Sequence, residues 1–364
     1  MEKIMTFDDL KKISVDTPDQ KIYSQIRKNW DSISKPIDGL GDFEDLICRI
    51  GAMRREIIPD ISKRCAVIIC ADSHITEEGV SQCGSHVTKD VAVCLGRDES
   101  TVCVMAAQAH TDVYAVDMGI DTDETISGVI DMKVNRGAGN FLKAPAMTEE
   151  EVLKAIYNGI HVAKSLSDKG YGLIAAGEMG IGNTTTATAL LCALTHTDPG
   201  DVTGRGAGLD DAGLSRKKEV IRQGLKIYEK DNTGTDKERA FKMLMDLGSL
   251  DIAGLAGLYI GGAIDHVPVI IDGLISAVAA MTAQMIVPGV KEYMIPSHAG
   301  RERGTMQILE KLGFTPFING NMALGEATGA VMMIPLMDMA LALYTDGIRF
   351  GDAGIDAYER YDHD

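Results

Sequence analysis

Two glutamates, each framed by glycines, stand out as residues that could do chemistry. The first lies in Gly177-Glu178-Met179-Gly180-Ile181-Gly182-Asn183-Thr184-Thr185-Thr186, and the second in Leu324-Gly325-Glu326-Ala327-Thr328-Gly329. Glycines let a backbone turn tightly and approach a ligand closely. Amides and threonine hydroxyls at the start of a helix make an anion site. An acid beside such a cradle is poorly suited to bind the anion and better suited to move a proton or order the loop. A carboxylate in an apolar, glycine-walled pocket is harder to ionise, which makes it a better proton acceptor near neutral pH. For Glu326 a plainer role is also open: an acid at a helix start, favoured by the helix dipole.

A third glycine-rich segment, Thr203-Gly204-Arg205-Gly206-Ala207-Gly208, precedes Lys217 and Lys218 and could close over phosphate. Read alone, those lysines are solvated helix charges. The spacing does not fit the P-loop pattern of ATPases. Ser297-His298 ends an apolar run, without the Gly-x-Ser-x-Gly frame of a hydrolase nucleophile. Asp72 and His74 lack a further ligand cluster at metal spacing, so no metal is expected. No Gly-x-Gly-x-x-Gly follows the first strand, which argues against a dinucleotide-dependent oxidoreductase.

These residues need a scaffold. Apolar runs at Cys65–Asp72, Val113–Gly119, Tyr171–Gly177, Val267–Gly273 and Tyr293–His298 read as buried parallel strands, several ending in an acid. Helical stretches fall between them, at 99–110, 149–168, 184–194, 210–229, 249–264 and 273–286. Two more, 18–35 and 41–58, come before the first strand. The alternation predicts an α/β fold: an open, mostly parallel, Rossmann-like sheet with helices on both faces. Ligands of such sheets gather beyond the strand C-termini. Segments 121–148 and 195–209 read as long loops on that rim.

Composition narrows the function classes. Lys and Arg number 36 against 53 Asp and Glu, a net charge of −17, which argues against nucleic-acid or acidic-membrane binding. The apolar stretches near 267–290 and 327–343 are broken by Asp272, Pro288, Pro335 and Asp338, and so read as core elements. The N-terminus lacks the apolar core of a signal peptide. Seven cysteines without a Cys-x-x-Cys pair read as reduced thiols. A cytoplasmic enzyme is expected.

Taken in order, these motifs resemble the nicotinate-nucleotide–dimethylbenzimidazole phosphoribosyltransferase family of cobalamin nucleotide-loop assembly. The likeness is carried by Trp30-Asp31, Lys35-Pro36, Gly39-Leu40-Gly41, Gly177–Thr185, Gly204–Gly208 with Asp210–Gly213, Val267–Gly273, Pro296-Ser297-His298 and Leu324–Gly329. It implies a large α/β domain over 60–314 and a small helical domain from 1–59 with 315–364, in a homodimer. It implies transfer of phosphoribose from nicotinate mononucleotide to a lower-ligand base (dimethylbenzimidazole or another azole, a purine or a phenolic), without a cofactor. By the same resemblance, Glu326 is the general base and Glu178 a supporting carboxylate. Gly180, Gly182, Asn183, Thr184, Gly204, Lys217 and Ser297 would hold phosphate and ribose. Asp72, Cys83, Val91 and Leu324 would line the base pocket. The chain departs from the family at Asp72-Ser73-His74-Ile75, Cys83-Gly84 and Val91. Those departures leave room for a catalytically silent relative that binds a nucleotide or base.

Overall fold

The computed structural model describes residues 5–360. Six strands, β1 (Arg64–Ala71), β2 (Asp112–Gly119), β3 (Val129–Asp131), β4 (Leu173–Met179), β5 (Val269–Ile271) and β6 (Met294–Pro296), form one sheet in the order β3-β2-β1-β4-β5-β6. Every pairing is parallel. The strand order reverses between β1 and β4, the switch point beside which ligands bind in open α/β sheets.

The sheet is buried on both faces because its central strands are apolar throughout. Every residue of β1 is buried. Cys65, Val67 and Ile69 enter one core; Ala66, Ile68 and Cys70 enter the other, as the two-residue period of a strand requires. On the first face, helices Glu149–Asp168 and Leu250–Ile264 pack closely. A side chain at Gly159 or Gly257 would run into the opposing helix backbone, so small residues set that approach. On the second face the two chain ends meet. Trp30, Leu46 and Ile50 share a core with Ala330, Met333 and Tyr344, and Trp30 lies 5.1 Å from Tyr344, ring centre to ring centre.

Several elements go beyond the sequence expectation. The 121–148 loop contains β3, and 195–209 contains a short helix, Pro199–Val202. Helices His86–Gly96, Asp236–Leu247 and Arg303–Leu312 add to those expected. β7 (His298–Gly300) pairs in parallel with β8 (Ile318–Met322), so the C-terminal segment contributes a strand as well as helices. Among the described residues one helix, Thr328–Asp346, is long and apolar enough to cross a membrane, and half of its apolar window is buried in this fold.

Candidate active site

A cavity of about 190 Å³ opens beyond the C-terminal ends of β4, β5 and β6. Glu178 and Gly180 approach from β4, Asn183 and Thr184 from the following helix, His298 and Gly300 from β7, and Leu324 with Glu326 from the turn after β8. The two glutamates, far apart in the sequence, therefore face one cleft.

Glu326 is held in an unusual backbone. Gly325, Glu326 and Ala327 have φ of 84°, 55° and 60°, three successive left-handed residues, two of which carry a side chain. Such conformations cost about 1–3 kcal/mol per non-glycine residue and persist only where surroundings enforce them. Three contacts do so here. Ala327 presses on Gly177 of β4, where any side chain would collide with it. Asp272, just past β5, accepts hydrogen bonds from Gly329 N (2.8 Å) and Ala330 N (3.0 Å), capping helix Thr328–Asp346, whose own N-cap Ala327 cannot. The His298 ring fills the space over Gly329.

The electrostatics favour a base. Burial raises the Glu326 carboxyl above the ordinary glutamate range, and the Asp272 charge adds to this. The Val102 amide and Ser100 hydroxyl, at the start of helix Thr101–Gln108, oppose the shift. Glu326 Oε2 is buried with no hydrogen-bond partner among the described residues. An unpaired buried acceptor costs stability, and a ligand N–H or O–H can satisfy it. Glu178 is raised well above the ordinary range by desolvation first and then by its neighbour Asp251.

Behind the cleft-lining Thr184 lies Lys217. Its side chain is 1% exposed and its Nζ donates to Thr184 Oγ1 at 2.8 Å. Burial lowers it to about 8, against the pull of Glu302. Gly206, in the left-handed region at φ 52°, folds over this pair. Gly182, at φ 97°, starts helix Asn183–Thr195 and supplies no side-chain cap. The solvated-charge reading holds for Lys218, which lines an outer pocket with Gly204, and not for Lys217.

The structure redistributes several expected roles. Ser297 is buried behind the cleft; its hydroxyl donates to Ile271 O at 2.5 Å and meets His298 Nδ1 at 2.9 Å, so His298 and Gly300 form the wall. Asn183 reaches the cleft but spends its amide on Glu178 and Asp251. Gly204 belongs to the neighbouring pocket. Asp72 does not line the cleft: it accepts from Thr88 Oγ1 (2.6 Å) and Asp121 N (2.8 Å). Thr88 Oγ1 in turn accepts Ile181 N at 3.0 Å, so Asp72 braces the glycine loop from behind. Cys83 sits in a loop and Val91 packs on the core, neither in the cleft wall. Leu324 is in that wall and 55% exposed.

The motifs alone do not single out Asp251, Asp272 or Glu302 as site residues. Asp272 carries a visible signal, an acid ending an apolar strand. Asp251, inside the apolar run Leu250–Ala263, carries none.

Comparison with known proteins gives the family. The phosphoribosyltransferase family model matches residues 15–355. The chain is 37% identical to the nicotinate-nucleotide–dimethylbenzimidazole phosphoribosyltransferase of Acetivibrio thermocellus, over 92% of this chain and 94% of that one. It is 36% identical to the enzyme of the same name from Ruminiclostridium cellulolyticum, over 98% and 99% of the two chains. The crystal structure of CobT from Thermus thermophilus superposes with a TM-score of 0.87 at 31% identity, covering 93% of this chain and all of that one. The match thus spans every residue that lines the cleft, from Glu178 to Glu326, and the chain belongs to the nicotinate-nucleotide–dimethylbenzimidazole phosphoribosyltransferase family.

Proposed function

We propose that the cleft transfers the phosphoribosyl group of nicotinate mononucleotide to a lower-ligand base, giving an α-ribotide and nicotinate for cobamide synthesis. The observation that carries this reading is the unpaired, buried Glu326 Oε2 at a cavity that Thr184 also lines, with the buried Lys217 hydrogen-bonded to Thr184 from behind. A ribose phosphate anchored at Lys217 would lie across the cleft with C1′ between the glutamates. The nicotinate ring leaves as a neutral pyridine, so its departure needs no acid. The sugar gains positive charge as the ring departs, and the buried acids stabilise it. The incoming azole attacks from the opposite face and must lose its N–H, for which Glu326 is the acceptor. A phenol would present its O–H to the same oxygen.

The same reading extends to assembly. Val104, Met332 and Met339 are 65%, 44% and 62% exposed on the adjoining helices Thr101–Gln108 and Thr328–Asp346. We assign this apolar strip to a homodimer contact, in a cytoplasmic enzyme. The division into a large domain over 60–314 and a smaller unit from both chain ends belongs to this proposal.

The test is a product assay. The protein is incubated with nicotinate mononucleotide and, separately, dimethylbenzimidazole, adenine and phenol, and nicotinate release is followed by chromatography. At least one base is expected to release nicotinate stoichiometrically with ribotide. Release with none of them contradicts the transferase reading.

A further inference from the structure

Glu178 is tied to a second buried acid. Asn183 Nδ2 donates to Glu178 Oε2 and, at 2.9 Å, to Asp251 Oδ2. Asp251 stands in the first turn of helix Leu250–Ile264 and is fully buried. Its other oxygen accepts from Ser249 Oγ and from Ile252 N, and Ser249 Oγ lies 3.1 Å from Thr186 Oγ1. The result is a chain of side chains, Thr186–Ser249–Asp251–Asn183–Glu178, that ends at the cleft. Two glycines leave room for it. A side chain at Gly180 would lie 3.3 Å from Asp251 Oδ2, and one at Gly325 would lie 3.1 Å from Glu178 Oε1.

No ion pair to Glu178 or Asp251 occurs among the described residues. The surrounding elements add negative charge: Asp272 from the end of β5 and Glu326 from the turn after β8, with the Cys70 thiol on β1 beside them. Two basic side chains stand nearby and neither is paired with Glu178 or Asp251: His298 on β7 faces Asp272, 4.0 Å away, and Lys217 donates to Thr184 Oγ1. Carboxylates crowded together without a cation cannot all ionise. The hydrogen bonds donated by Asn183, Ser249 and Ile252 N favour the ionised forms, but burial outweighs them and both acids are raised; acids this close titrate as a pair.

We propose that Glu178 and Asp251, spanned by Asn183, hold one proton between them in the free enzyme and release it to solvent when the positively charged pyridinium ring of a ribotide seats in the cleft, with Asp251 acting as a positioning residue for Glu178. The inference rests on the transferase reading for the identity of that ligand. The balance is simple: a carboxyl O–H bond breaks, the proton passes to buffer, and the negative charge stays under the incoming positive charge. Linkage requires the coupling, since a cation that lowers the proton affinity of the pair must be bound more tightly by its deprotonated form. The carboxylate then appears only when there is cationic charge to stabilise, and it is present when charge spreads onto the sugar.

The experiment is calorimetric titration at pH 7 in two buffers of different ionisation enthalpy. Nicotinate mononucleotide is compared with ribose 5-phosphate, which carries the same phosphate without the ring and so accounts for proton exchange at Lys217. The wild type is expected to release more protons with nicotinate mononucleotide than with ribose 5-phosphate. Asp251→Asn and, separately, Glu178→Gln are expected to lose that excess while still binding both ligands. Should one variant fold poorly, the other decides the question. Equal proton exchange for the two ligands in the wild type, or an undiminished excess in a folded variant, overturns the proposal. Absence of any heat with nicotinate mononucleotide would count against the ligand assignment, a different failure from binding without proton release.

Discussion

At Glu326 two opposed influences meet: burial and Asp272 hold the proton, while Val102 N and Ser100 help to release it. The net shift is upward, so the acid limb of the pH–kcat/KM profile is expected above the ordinary carboxylate range, with activity falling as pH drops through it. Lys217 sets the other limb. Its pKa is lowered to about 8, so the free enzyme loses this cation as pH rises past that value. We therefore expect kcat/KM for nicotinate mononucleotide to decline above about pH 8, mainly through KM. Lys217→Met should raise KM strongly at pH 7 and flatten the alkaline decline. An unchanged alkaline limb in that variant would remove Lys217 from phosphate binding. Both glutamates and the lysine could be picked out as residues, but their environments could not. The full burial of Lys217 depends on Gly206 and Thr184 folding over it, and on Glu302, which is distant in sequence.

At the scale of elements, the turn that carries Glu326 is held from three sides: by Gly177 on β4, by Asp272 after β5 and by His298 on β7. Gly177 opens the glycine loop in sequence, yet its role here is to leave room for Ala327, not to meet a phosphate. Gly177→Ala would push a methyl into the Ala327 backbone. Overpacking of this kind typically costs about 1–3 kcal/mol. We expect a lowered melting temperature together with a loss of kcat larger than any change in KM, measured on the folded fraction. Normal kcat in Gly177→Ala would show that the turn does not depend on this contact. The strands and most helices were legible because apolar runs and glycine turns are local signals. β3, β7 and β8 were not, since such short strands at a sheet edge carry too little pattern. The misplaced Ser297 has a related cause. A serine at a strand end reads as cleft-facing, but the chain turns one residue later and presents His298 instead.

For the whole molecule, the cleft lies on the β4–β5–β6 side of the switch point, while the acids ending β1 and β2 hold loops. Asp72 braces the glycine loop, and Asp117 receives Ile120 N at 2.8 Å. The strand-end rule therefore finds acids on both sides of the switch point and cannot tell which of them are catalytic. The two chain ends close the opposite face, and Met332 and Met339 stand exposed on helix Thr328–Asp346, which starts just after the Glu326 turn. If that strip is the dimer contact, Met339→Glu should convert the protein to monomers by light scattering after size exclusion, with the melting temperature little changed. A dimer that survives Met339→Glu and Met332→Glu together would place the contact elsewhere.

Catalysis in this cleft turns on Glu326 removing the proton of the incoming base. Its most direct measurement is the rate of ribotide formation by Glu326→Gln at saturating substrates, alongside the affinity of the same variant for nicotinate mononucleotide. A positioned general base contributes about 10²–10⁴-fold. A loss of that order in kcat is expected, with nucleotide affinity retained. Wild-type turnover in Glu326→Gln would contradict it.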